Sequence, residues 1–207
     1  MIPVKVLAVR YLANAAPALC AALGVPEGYP SLAMITTDSD DATYIALDEG
    51  TKAADVKVCY ARSFYAGAAN ATTPNAGEVI GILAGPTPGT VRSGMEAVLS
   101  ALRHIGFEEV NGVPYLAYTV SRSGAYLAGE AGVAEGTALA YLIAPPLESM
   151  YAMDAALKAA DVKLCKLYRP PSETNFGGGL LSGSQSACEA ACTAFAAAVA
   201  EVAARPI

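Results

Sequence analysis

An internal repeat constrains this chain more than any other feature of its sequence. The octapeptide KAADVKVC at 52–59 is repeated as KAADVKLC at 158–165. When the sequence is displaced by 106 positions, the 29 residues that end at these octapeptides align with nine identical pairs, which include Ala46/Ala152 and Asp48/Asp154. Identity clustered at one fixed offset is typical of duplication. The chain is therefore predicted to contain two copies of one folding unit.

Each copy alternates between the hydrophobic periods of strands and helices. In the first copy we predict a strand at 31–37, a helix at 43–54, strands at 56–60 and 78–84, and a helix after Pro88. In the second copy the corresponding elements are 138–144, 147–160, 162–168, a strand from 180 and a helix after Ser184. Further strands are expected at 4–11 and 115–120, and N-caps at Thr87 and Ser184. This order predicts an α+β fold with two domains, 1–110 and 111–207.

Composition limits the partners of the chain. Charged residues make up 15% of the sequence, against roughly a quarter in ordinary globular domains, so much of the surface suits burial in an assembly. A net charge of -6 without basic clusters argues against binding to nucleic acid or to anionic membranes. Five cysteines without CxxC spacing indicate reduced thiols in a cytoplasmic protein. Charges interrupt every apolar run before it reaches about 18 residues, so no membrane span is expected.

The residues needed for common enzyme chemistry are missing from the sequence. His104 is the single histidine, and it lies at the end of a predicted helix without a GxSxG motif elsewhere in the chain. Zinc and iron–sulfur centres need several Cys or His ligands at close spacing, which the scattered cysteines do not provide. We therefore predict no catalytic residues, no metal site and no enzymatic activity.

An acidic group lies between a predicted strand and a predicted helix. Asp38, Asp40 and Asp41 there suit either N-capping of the helix or the binding of an ammonium group together with Glu78. Glu78 directly precedes the apolar segment VIGILAG. A charged residue is unusual beside a buried segment unless it has a partner. The sequence leaves both interpretations open.

Two long loops are rich in small residues. They read ARSFYAGAANATTPNAG and RPPSETNFGGG, 17 and 11 residues long, and loops of such length are usually functional or disordered. In the first loop, Arg62, Phe64 and Tyr65 offer bulk and hydrogen bonding for a channel constriction. A mobile surface loop fits the same composition.

Longer motifs carry a resemblance to a known family. DSDDATYIALDE at 38–49, GEVIGILAGPTPGTVRSGMEA at 77–97 and APPLESMYAMDAALKAADV at 144–162 resemble the shell proteins of ethanolamine-utilisation bacterial microcompartments, over nearly the whole chain. The resemblance implies two tandem, circularly permuted bacterial microcompartment shell domains, with ferredoxin-like sheets and helices, assembled as a pseudohexameric homotrimer. It also implies a structural role beside other shell proteins, with a loop-gated central pore for transport of metabolites or cofactors.

The resemblance also implies site residues. The gate corresponds roughly to 62–75 and 170–179, with these residues as its candidates: Arg62, Ser63, Phe64, Tyr65, Ala66, Gly67, Asn70, Glu173, Thr174, Asn175, Phe176 and Gly177. Ethanolamine would bind in small pores within each subunit, its ammonium and hydroxyl held by Asp41 and Glu78 against Phe107 as an apolar wall. No cofactor is required, and ethanolamine and cobalamin are the candidate ligands. No sequence feature fixes cobalamin or zinc binding, or whether the pore is open or closed.

Two other classes of function are weighed against a shell protein. The first is a soluble regulatory protein that binds a small metabolite with a duplicated ferredoxin-like α+β fold and forms no layers. The second is an accessory ammonia-lyase or hydrolase, for which turnover of ethanolamine is expected to be absent.

Overall fold

The protein folds into two compact units. The structure is a computed structural model that describes residues 1–64, 75–170 and 172–207. The N-terminal unit comprises Pro3–Ile105 with Gly124–Tyr126, and the C-terminal unit comprises Met1–Ile2, Gly106–Ser123 and Leu127–Ile207. Within these residues the fold is mixed α and β, as the sequence predicts. The exact domain limits 1–110 and 111–207 stay a prediction.

The N-terminal unit contains a four-stranded antiparallel sheet in the order β1-β2-β4-β3. Its elements are β1 (Val6–Leu12), α1 (Pro17–Ala22), β2 (Ser31–Thr37), α2 (Asp40–Ala53), β3 (Lys57–Ser63), β4 (Val79–Gly85) and α3 (Pro88–Ala101). The residues of α3 that face the core recur at helical spacing, because Val91, Met95 and Val98 are buried while Arg92 and Glu96 are exposed.

The C-terminal unit repeats this topology with one added strand. Its elements are β5 (Glu108–Val110), β6 (Val113–Val120), α4 (Ala125–Ala131), β7 (Ala138–Ala144), α5 (Pro146–Ala159), β8 (Val162–Tyr168), β9 (Gly177–Gly183) and α6 (Gln185–Ala204). The sheet order is β5-β6-β7-β9-β8. Without β5 this is the order of the first sheet, so β6, β7, β9 and β8 correspond to β1, β2, β4 and β3.

The octapeptide encodes the same local structure twice. It ends a helix and starts a strand, and in each copy the valine amide donates to the alanine carbonyl two residues earlier, at 2.8 Å for Val56 and Ala54 and 2.9 Å for Val162 and Ala160. The strand pairing then shifts by one residue in both copies, between Val58 and Tyr60 and between Leu164 and Lys166. A β-bulge therefore lies at each repeated cysteine, Cys59 and Cys165.

Two helix starts agree with the sequence, and α6 is a long apolar helix. The Thr87 hydroxyl accepts a hydrogen bond from Thr90 N at 3.1 Å and the Ser184 hydroxyl from Ala187 N at 3.1 Å, which confirms both N-caps. Of the helices in the described ranges, α6 is long and apolar enough to cross a membrane by length and composition, with 33% of its apolar window buried. Glu189 and Glu201 interrupt its apolar sequence, and its buried face packs into the core of the C-terminal unit.

Candidate functional site

Four carboxylates meet at one end of the first sheet. We call Asp38, Asp40, Asp41 and Glu78 the acidic cluster. Because Thr37 of β2 pairs with Val79 of β4, the residues just beyond these strands lie side by side. Glu78 N donates to Thr37 O at 2.8 Å, and the helix α2 that carries Asp40 and Asp41 begins two residues after Asp38.

Two members of the acidic cluster, Asp40 and Asp41, are withdrawn from water, whereas Glu78 is half-buried and Asp38 is exposed. Asp40 and Asp41 are each 8% exposed. Burial raises the pKa of the Asp40 carboxyl, an effect opposed by hydrogen bonds with Ser63 and Asp41. Burial also raises the pKa of Glu78, and the negative charges of Asp40 and Asp38 raise it further. Charged carboxylates at this site are therefore costly, and a small cation would relieve that cost.

Capping explains only part of the acidic cluster. Ser39 is the N-cap of α2 and makes no side-chain capping bond, whereas Asp40 Oδ1 accepts from Asp41 N at 2.8 Å in the first turn. Asp38 Oδ1 accepts from Lys5 N at 2.7 Å instead. Glu78 lies outside the helix, so capping does not account for its position beside two aspartates.

The first predicted gate loop begins at the acidic cluster. Ser63 ends β3, and its hydroxyl lies 2.5 Å from the hydroxyl of Tyr44 as well as bonding with Asp40. Phe64 N donates to Glu78 O at 3.0 Å, and the Phe64 ring is exposed. The Arg62 guanidinium lies 5.9 Å from the centre of the Tyr60 ring. The other candidates of this loop, Tyr65, Ala66, Gly67 and Asn70, lie outside the described residues.

The second predicted gate loop is organised by a serine. The Ser172 hydroxyl accepts from Thr174 N at 3.3 Å and donates toward Phe176 O at 2.9 Å, which brackets Glu173, Thr174 and Asn175 within one tight turn. The Phe176 ring packs on Phe107 with ring centres 5.7 Å apart.

Gly177 follows this turn as the first residue of β9. A Cβ at this position would meet Pro170 at 2.8 Å and the Ser149 hydroxyl at 2.9 Å, so a glycine is required by close packing. Close packing at Gly177 therefore fixes where the second predicted gate loop ends and β9 begins.

The predicted ethanolamine residues are distributed over both units. Asp41 and Glu78 lie in the N-terminal unit, and Phe107 lies in the C-terminal unit, where Ile2 N donates to its carbonyl at 2.6 Å. The role of Phe107 as the wall of a site with Asp41 and Glu78 stays a prediction. Over the described ranges, no three His, Cys, Asp or Glu side chains are grouped so that they could hold a metal ion.

Sequence reasoning named Asp40 in the acidic group but missed Tyr44. The negative charge of Asp40 raises the pKa of Glu78, and the Tyr44 hydroxyl lies 2.5 Å from the Ser63 hydroxyl. The spacing of four between Asp40 and Tyr44 places them on the same face of α2, which was a usable signal.

Comparison with known proteins identifies the family to which this architecture belongs. The BMC domain family matches residues 31–114. The bacterial microcompartment shell protein EutL of Clostridium perfringens is 56% identical over 207 residues, which cover 98% of this chain and 95% of that protein. The chain belongs to the EutL family of bacterial microcompartment shell proteins. The family resemblance drawn from the sequence motifs is thereby confirmed.

Solved structures agree with this assignment. The crystal structure of EutL from Leptotrichia buccalis superposes with a TM-score of 0.96 at 55% identity, covering 100% of this chain and 97% of that one. EtuB from Clostridium kluyveri shares the fold, with a TM-score of 0.80 at 21% identity over 94% of this chain and 86% of that one. The tandem shell-domain fold is therefore confirmed. A EutL protein is a structural component of the shell of a cytoplasmic bacterial microcompartment and not an enzyme.

Proposed function

We propose that this EutL-family chain forms homotrimers that tile with other shell proteins around an ethanolamine-utilising compartment. In this proposal the loops at 62–75 and 170–179 gate a central pore for metabolites or cofactors. Each subunit also binds ethanolamine at Asp41, Glu78 and Phe107. Cobalamin is a further candidate ligand, carried by the family resemblance alone.

The observation that carries ligand binding is the acidic cluster. Burial and two neighbouring aspartates raise the pKa of Glu78. Ionised carboxylates at this site are therefore costly, and binding of a small cation would lower that cost. Ethanolamine supplies an ammonium for the carboxylates and a hydroxyl for a further hydrogen bond. Its size suits a site where Asp40 and Asp41 are 8% exposed. We add Asp40 to the proposed ligand residues because its charge acts on Glu78.

The ligand proposal is tested by calorimetric titration with ethanolamine. Glu78→Gln removes one charge at nearly constant shape, and we expect at least tenfold weaker binding, since hydrogen bonds to charged groups contribute about 1.5 to 3 kcal/mol. Glu96→Gln is the matched control, because Glu96 is exposed on α3 of the same unit. Ethylene glycol, which lacks the ammonium, should bind neither protein. Equal affinity of wild type and Glu78→Gln would remove Glu78 from the site.

The assembly proposal is tested by mass. A trimer of the 21.0 kDa chain should elute near 63 kDa in size-exclusion chromatography with light scattering. Electron microscopy of concentrated protein should show hexagonally packed layers, which a soluble metabolite-binding regulator would not form. A monomer at micromolar concentration would contradict the proposal.

A further inference from the structure

The repeated octapeptide ends in a cysteine, and the N-terminal unit has a second cysteine close to its own copy. Cys20 on α1 and Cys59 on β3 are both half-buried free thiols. They are 39 positions apart in the sequence, yet both pack against one small hydrophobic cluster. The buried members of this cluster are Ala15, Leu32, Ile82 and Ala84.

This cluster lies on the face of the first sheet that α1 covers. Successive residues of a strand point to opposite faces of its sheet. On β4, a Cβ at Gly81 would meet Leu47 of α2, whereas Ile82 and Ala84 belong to the cluster on which Cys20 packs. Helix α1 and the thiol of β3 therefore share the face opposite to α2.

Each sulfur lies beside a backbone carbonyl of a cluster residue. The Cys59 thiol donates toward Ile82 O at 3.5 Å, and the Cys20 thiol donates toward Ala15 O at 3.8 Å. A negative charge on Cys20 also raises the pKa of Cys59. Such an influence falls off with distance, so the two thiols are neighbours.

The duplication gives an independent view of this helix and strand. At an offset of 108, α1 corresponds to α4, and both make the same backbone hydrogen bond at their ends. Val25 N donates to Cys20 O at 2.9 Å, and Val133 N donates to Ala128 O at 3.0 Å. Ala128 is therefore the counterpart of Cys20.

The C-terminal unit shows that α4 reaches the strand with the repeated cysteine. The Lys166 ammonium of β8 forms an ion pair with the Glu130 carboxylate of α4. Lys166 follows Cys165, and Glu130 lies two positions after Ala128. Because Cys165 occupies the same bulge as Cys59, the corresponding helix and strand of the N-terminal unit bring Cys20 toward Cys59.

We infer that Cys20 and Cys59 form a disulfide within the chain when the protein meets a low-molecular-weight disulfide. The Cys20 thiolate attacks one sulfur of the small molecule, and one small thiolate leaves. The Cys59 thiolate then attacks the Cys20 sulfur of the mixed disulfide, and the second small thiolate leaves. Two cysteines are oxidised, one small disulfide is reduced to two thiols, and the two cysteine protons end on those thiols.

The surroundings of the two thiols assign their order and leave room for the bond. Burial raises the pKa of Cys59 to about 11, so little of it is thiolate at neutral pH, and the first attack falls to Cys20. A disulfide needs a Cα separation of about 4.4 to 6.8 Å. Helix α1 has six residues and none of them is buried, so it can shift to meet that requirement. The bond ties α1 to β3, the strand that leads into the first predicted gate loop.

Peptide mapping of the full chain after incubation with glutathione disulfide tests the inference. The wild type should lose two of its five alkylatable thiols and yield a peptide pair joined through Cys20 and Cys59, which dithiothreitol separates. Cys59→Ser should stop at a mixed disulfide of Cys20 with glutathione. Cys165→Ser is the matched control, because Cys165 occupies the corresponding bulge, and it should form the same crosslink as the wild type.

Several results with the wild type alone would overturn the inference. These are five alkylatable thiols after incubation, a glutathione adduct that remains on Cys20, and chains joined to one another on a non-reducing gel. A crosslink between Cys165 and Cys188 in place of the expected one would also overturn it. That pair provides a comparison because the fully buried Cys188 lies near Cys165, whose thiol donates to the Ser182 hydroxyl at 3.1 Å.

Discussion

Truncation of Phe176 measures how firmly the second predicted gate loop is held. The rings of Phe176 and Phe107 are tilted by 56° with centres 5.7 Å apart, and both side chains are half-buried. Such a pair contributes about 1 kcal/mol beyond its burial, and half-burial of a phenylalanine contributes about 1 kcal/mol more. Phe176→Ala should therefore weaken the observed loop arrangement by about 2 kcal/mol, which corresponds to a roughly 30-fold rise in its opened fraction.

Hydrogen exchange detected by mass spectrometry provides the assay. Amides of residues 172–177 should exchange roughly 30-fold faster in Phe176→Ala, and roughly fivefold faster in Phe176→Leu, which keeps apolar area but loses the ring pair and its about 1 kcal/mol. Phe64→Ala is the matched control, because Phe64 lies in the other loop and is exposed. Unchanged exchange in Phe176→Ala would refute the reasoning. Equally accelerated exchange in α6 would do the same, since it would indicate global destabilisation.

Three further changes are expected to alter stability. The pKa of Glu78 is higher in the fold than its ordinary value of 4.5, so ionisation of Glu78 destabilises the fold as the pH rises above 4.5. Glu78→Gln should therefore raise the thermal midpoint at pH 7 and leave it unchanged well below pH 4.5. Gly178→Ala should prevent folding of the C-terminal unit, seen by circular dichroism, because its Cβ would lie 1.9 Å from Leu142 O at a φ of 146°. Asp48→Ala should lower the free energy of unfolding by about 3 kcal/mol in urea titration, because it leaves the buried Gly124 amide without its hydrogen-bond acceptor. A loss under 1 kcal/mol would contradict this prediction.

The strands with continuous apolar sequence were predictable to the residue. SLAMITT and ALAYLIA form β2 at 31–37 and β7 at 138–144, as expected. Each is an interior strand of its sheet and pairs on both sides. Its residues are buried or half-buried on both faces, so the strand needs no polar alternation. The hydrophobic pattern of these strands and the N-caps at Thr87 and Ser184 depend on neighbouring residues in the sequence, so these elements could be predicted from short segments.

Glycine-rich strands were not predictable in the same way. Strand β9 begins at Gly177, three residues before the predicted start at Leu180. A Cβ at Gly179 would lie 2.3 Å from Lys166 O, so close approach of the neighbouring strand requires glycine where propensity indicates a loop. The hairpin between β5 and β6 was also missed, although Asn111 and Gly112, both with positive φ, are a strong hairpin signal.

The candidate site depended on sheet register, which the sequence did not reveal. Glu78 follows the three aspartates by 37 to 40 positions and lies near them because β2 and β4 pair at Thr37 and Val79. Strand β9 matches β4 at an offset of 98, which pairs Gly81 with Gly179 and makes Phe176 the counterpart of Glu78.

The counterparts of the acidic cluster explain why one chain carries one such cluster. Asp40, Asp41 and Glu78 are matched in the second copy by Pro146, Leu147 and Phe176, so three ionisable groups are replaced by apolar ones. A proline is compatible with the first helical position, which makes the loss of Asp40 harmless to the helix. The octapeptide is retained in both copies because each needs its turn and its bulge. Duplication thus allowed one copy to accept the electrostatic cost of neighbouring carboxylates, while the other used the position of Glu78 for an apolar loop anchor at Phe176.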